Sequence, residues 1–104
     1  MRNRLKLHEE LQELGIVNAK QIYFQPPESI KLKYPCIIYH LTGVNVQHAD
    51  DTKYLSKNRY TLTIISTDPD NDIAEKIVEH FPYSRFDRRY RAENLYHDSV
   101  ELFY

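Results

Sequence analysis

Glycine is nearly missing from this sequence: Gly15 and Gly43 are the only two. Sites that wrap phosphate or an oxyanion in bare backbone need glycine where the chain approaches the ligand. Neither a Gly-rich phosphate loop nor a Gly-x-Ser-x-Gly elbow is present. A single cysteine, Cys36, excludes an internal disulfide and any paired-cysteine metal site. Set in Pro35-Cys36-Ile37-Ile38-Tyr39, it reads as a small buried hydrophobe. The five histidines, His8, His40, His48, His80 and His97, include no pair at i, i+3 or i+4, so the spacing of a zinc helix is absent and no metal or cofactor is expected. No apolar run approaches the ~20 residues of a membrane span. The opening Met-Arg-Asn-Arg-Leu-Lys has charges with no apolar stretch behind them, so neither export signal nor anchor is expected and the chain reads as cytoplasmic. A surplus of one charge is missing too: 14 Lys and Arg face 15 Asp and Glu, for a net charge of −1. Chain-wide attraction to a polyanion therefore has no basis.

What the sequence does have is tyrosine, nine in 104 residues and no tryptophan. Tyrosine suits positions with one end packed and the other wet, in cores and at interfaces alike. Tyr23, Tyr34, Tyr39 and Tyr60 lie on or beside strands expected to pack against helices. Tyr54, Tyr83, Tyr90, Tyr96 and Tyr104 fall at turns, beside arginines or on the last strand, where contact with other subunits is expected.

Periodicity orders the elements. Leu7, Leu11 and Leu14 make one stripe on a helix over about residues 3–14, with Leu5 beside it and Gly15 placed to end it with φ > 0. Ile22-Tyr23-Phe24 is a short strand, stopped by Gln25-Pro26-Pro27-Glu28-Ser29. Residues 34–47 read as a long strand, apolar on both faces at its start. After a polar tip, residues 58–66 alternate as a second long strand, with Tyr60, Leu62 and Ile64 on one side. Asp68-Pro69-Asp70-Asn71-Asp72 has the carboxylates and proline of a helix start, a better reading than a calcium loop because the glycine such a loop needs is absent. Ile73, Ile77 and Phe81 give that helix its apolar face, and Pro82 ends it. Strands at about 84–91 and 96–104, joined by residues 92–95, complete the order α-β-β-β-α-β-β. Residues 1–104 form one α+β domain on this reading: two layers, a mainly antiparallel sheet with two helices on one face.

One local feature departs from the balanced charge, the four arginines Arg85, Arg88, Arg89 and Arg91. Strict alternation puts Arg85, Arg89 and Arg91 on one face with Asp87, and Arg88 on the other with Phe86 and Tyr90. Such a strand is either an edge protected by charge or an interface, since Arg and Tyr are enriched where proteins bind one another. Asp98 and Glu101 on the next strand, or carboxylates of a second subunit, are the candidate partners of these cations.

The segments Tyr23-Phe24-Gln25-Pro26-Pro27-Glu28, Lys33-Tyr34-Pro35-Cys36-Ile37-Ile38-Tyr39, Asn58-Arg59-Tyr60-Thr61-Leu62-Thr63-Ile64-Ile65, Asp68-Pro69-Asp70, Phe86-Asp87-Arg88 and Asn94-Leu95-Tyr96-His97-Asp98 resemble, in order and over nearly the whole chain, the tail completion or tail terminator proteins of long-tailed bacteriophages and prophages, also called head-tail joining or minor tail proteins. The resemblance implies a non-enzymatic virion protein that is made in the host cytoplasm and forms a ring, typically of six. The ring caps the tail tube, docks it to the head connector and surrounds the DNA channel. It supplies no active-site motif. On that reading Asp50, Asp51, Lys53 and Tyr54 at the 43–57 tip face the tube or connector. Arg85, Arg88, Arg89, Arg91, Tyr90 and Tyr96 meet a neighbouring subunit. The alternatives are a stopper or adaptor of the same neck, a small nucleic-acid-binding α+β module using the arginine strand, and an enzyme with a distributed His/Asp site.

Overall fold

The computed structural model describes residues 4–47 and 56–104. Helix α1 spans Arg4–Glu13 and buries Leu7 and Leu11. Gly15 ends it with φ +66°, the left-handed conformation expected there, and its N–H bonds back to the Gln12 carbonyl at 3.2 Å. A short 3-10 turn at Ala19–Gln21 leads into β1, Ile22–Phe24. Strands β2 (Cys36–Gln47) and β3 (Ser56–Ser66) follow, then α2 (Ile73–His80), β4 (Ser84–Ala92) and β5 (Leu95–Phe103). The five strands form one sheet in the order β1-β2-β3-β5-β4. Among the described residues only β1 and β2 run parallel, and the other three pairings are antiparallel. The fold is α+β, in the element order that the periodicity gave.

Register explains the layering. Ile37 opposes Ile64, Tyr39 opposes Leu62, and Leu62 in turn opposes Val100. These side chains share one face of the sheet and are buried together with Leu7 and Leu11 of α1 and Ile73, Ala74 and Ile77 of α2. Each buried Leu or Ile stabilises the fold by about 1.5–3 kcal/mol. Cys36, fully buried, pairs with Ile65 on the opposite face, and burial pushes its thiol pKa up to about 11, so it stays protonated at neutral pH. The two helices meet where Glu10 of α1 accepts from the Tyr104 hydroxyl at 2.6 Å and contacts His80 Nε2 of α2 at 2.9 Å.

Three expectations change in detail. Asp68 does not cap α2: it accepts the Asp70 N–H in a turn ahead of the helix, Asn71 accepts the Ile73 N–H, and Asp72 at the cap position makes no side-chain cap bond. Tyr104 is packed against the core and engaged with Glu10, whereas Tyr34, placed with the core by its neighbours, is 40% exposed. The last connection is two residues, not four. Glu93 (φ 52°) and Asn94 (φ 62°) are both left-handed, the geometry of a type I′ hairpin turn.

Candidate interface on the sheet edge and open face

Strand β4 is an edge of the sheet, hydrogen-bonded to β5 on one side alone among the described residues, and Arg85–Arg91 are all exposed. Its register decides what each arginine does. Phe86 opposes Val100, but the next pair is Arg88 with Ser99, so Asp87 is an extra residue in a β-bulge. The bulge overturns the strict alternation. Arg85, Arg88 and Tyr90 lie on the open face, while Phe86, Arg89 and Arg91 lie on the helix face.

Arg89 is therefore turned inward to Asp98, which is 1% exposed. The guanidinium holds both carboxylate oxygens, Nε to Oδ1 at 2.5 Å and Nη2 to Oδ2 at 2.9 Å, and donates through Nη1 to the Pro69 carbonyl at 2.7 Å. The bond to Asp98 is the main cause holding the arginine's pKa above its already high ordinary value. Arg85 donates to Glu101 at 3.0 Å through Nε. Two of the four arginines are thus neutralised within the chain, by the two carboxylates of β5. Arg88 and Arg91 have no carboxylate partner among the described residues; they lie over the rings of Tyr90 and Tyr96, at 5.0 and 5.4 Å. Tyr90 stacks on His97 across the hairpin, centroids 4.9 Å apart. Asp50, Asp51, Lys53 and Tyr54 lie outside the described residues.

On the helix face a cleft of about 480 Å³ opens between α2 and the β4-β5 hairpin. Ala74, Val78 and Phe86 give it apolar walls, the Arg89–Asp98 pair lies at one side, and Glu75 and Glu79 are exposed on α2. Phe86 remains 48% exposed there. Sequence periodicity did not single out this cleft, because strict alternation separates Phe86 from Arg89 and only the bulge brings the two to one face. The other unanticipated group is on β3: Lys57 and Arg59 share the open face with Arg85 and Arg88, a placement that the alternation of residues 57–65 already encodes.

No group of three or more His, Cys, Asp and Glu side chains among the described residues is arranged to hold a metal ion, and no described helix is long and apolar enough to cross a membrane. Searches against protein-family models, curated proteins and solved structures find no match.

Proposed function

We propose that this protein is a non-enzymatic structural subunit of a bacteriophage neck. Six copies would close into a ring that ends the tail tube and joins it to the head connector, with DNA passing through the channel. The resemblance of the sequence segments supports this reading. The observation that carries it is β4: a nine-residue edge strand exposed along most of its length, with half-exposed Phe86 at an open cleft and the exposed Arg91 on the same face of the strand. An unpaired edge offers backbone donors and acceptors to another chain, and a large apolar side chain left wet beside it is what a subunit contact covers. The opposite edge, β1, is only three residues long, so the two edges are unlike. A contact between β4 and a different surface of the next copy is heterologous, the kind that builds rings.

The test is the assembled mass by light scattering and native mass spectrometry. Phe86→Glu with Arg91→Glu is expected to leave a folded monomer where the unaltered protein forms a ring. Arg89 is left in place because it is bound within its own subunit. An unchanged ring in this variant would remove β4 from the interface.

A further inference from the structure

The near-zero net charge hides a separation between the two layers. The two helices and the turn before α2 carry eight carboxylates against three cations. Among the described residues, the open face of the sheet has the opposite sign: Lys57, Arg59, Arg85 and Arg88 stand there with Glu101 as the facing carboxylate, and a positive balance persists even if Asp87 at the bulge is counted with them. Glu101 is taken by Arg85. Lys57, Arg59 and Arg88 have no carboxylate partner among the described residues.

We infer that this open face binds the phosphodiester backbone of a nucleic acid. The charge is of the right sign and spread over β3 and β4. The rest of the surface fits the same ligand. Hydroxyls of Thr42 and Thr61 lie 3.2 Å apart beside the Arg59 guanidinium, and hydroxyls with arginine and lysine are the side chains that most often meet phosphate and sugar. Lys57 and Arg88 are held over the rings of Tyr83 and Tyr90, which restrains them without neutralising them. A protein partner such as the acidic helix layer of a second copy is the weaker fit, because a protein interface is centred on apolar anchors, and the exposed rings on this face, Tyr83 and Tyr90, lie under Lys57 and Arg88, while Phe86 lies on the opposite side. This inference does not depend on the neck reading: Lys57 and Arg59 lie on β3, and Arg85 and Arg88 lie on the face of β4 opposite Phe86 and Arg91.

The test is titration of fluorescent duplex and single-stranded DNA of random sequence with the intact protein, followed by anisotropy from 50 to 200 mM salt. Three unpaired cations predict a loss of affinity of about 40-fold across that range. Lys57→Glu with Arg88→Glu should abolish binding. The milder Lys57→Gln with Arg88→Gln should fold, bind more weakly and reduce the salt effect to about 4-fold. Glu75→Lys with Glu79→Lys changes net charge on the helix side, so it should alter affinity less than about 3-fold. Binding to either DNA form with this pattern supports the inference. No binding at 50 mM salt, equal binding by the glutamine variant, or a gain from the helix-side variant as large as the loss from the open-face one would overturn it. Loss of self-association in the open-face variant without DNA binding would also overturn it, and would assign the face to a second copy.

Discussion

Arg88 and Arg89 are adjacent, identical in type and opposite in consequence. Removing Arg89 strands a buried carboxylate, so Arg89→Ala should cost about 3 kcal/mol in urea unfolding. Arg88 faces water and a tyrosine ring, so Arg88→Ala should change stability by less than about 0.5 kcal/mol. Equal effects would contradict the bulged register. Glu10, Tyr104 and His8 make a second set of residue-scale expectations, in pH. The Tyr104 phenol is pushed up to about 12, first by burial and then by the Glu10 carboxylate that accepts its proton. Its contribution is therefore complete below pH 10 and is lost as pH rises toward 12. Glu10 is held below its ordinary value, chiefly by that same hydroxyl, so its contribution is complete above about pH 4.5 and is lost on acidification through the depressed pKa. His8 contacts the Tyr39 hydroxyl at 2.6 Å, and its pKa is lowered first by burial and then by Arg4. The neutral ring stabilises the fold above about pH 6.5, and that part fades as pH falls through the lowered pKa. Thermal melts of Tyr104→Phe should show a loss of about 1 kcal/mol at pH 7 that shrinks above pH 10. A difference independent of pH would contradict the assignment.

At the scale of elements, the β4-β5 turn is a place where the sequence is poorly suited to its own structure. Glu93 adopts φ 52° although a residue with a Cβ resists that conformation, and type I′ turns favour Asn-Gly. Replacing Glu93-Asn94 with Asn-Gly should raise stability by about 0.5–1 kcal/mol, read as a higher urea midpoint at unchanged slope; a lower midpoint would contradict the turn type. This turn also marks the limit of what periodicity reveals. The leucine stripe of α1, the Ile73/Ile77/Phe81 face of α2 and the alternation of β3 each repeat over several turns or pairs, and repeated burial leaves a repeated pattern. The two-residue turn and the bulge at Asp87 are each set by one or two residues, with no period to betray them. The bulge alone exchanges the faces of Arg88, Arg89 and Arg91, which is why the arginine strand was legible as a feature but not as a site. The Asp68–Asp72 segment misled for a related reason: carboxylates and proline suit both a cap and the turn that precedes one, and only the hydrogen bonds separate them.

Over the whole molecule, two surfaces stand apart: an edge strand with an exposed phenylalanine beside a cleft, and an open face with positive charge on the other side of the sheet. The first is proposed to join copies of the chain, the second to bind the backbone of a nucleic acid. The near-zero net charge of the chain coexists with opposite charge on the two layers of its described residues. The ring itself is the central claim. Native mass spectrometry of the purified protein across a concentration series tests it most directly: the account predicts a closed species of six copies, in equilibrium with monomer and with no larger series above it. A monomer at every concentration, or an open-ended ladder of oligomers, would contradict it.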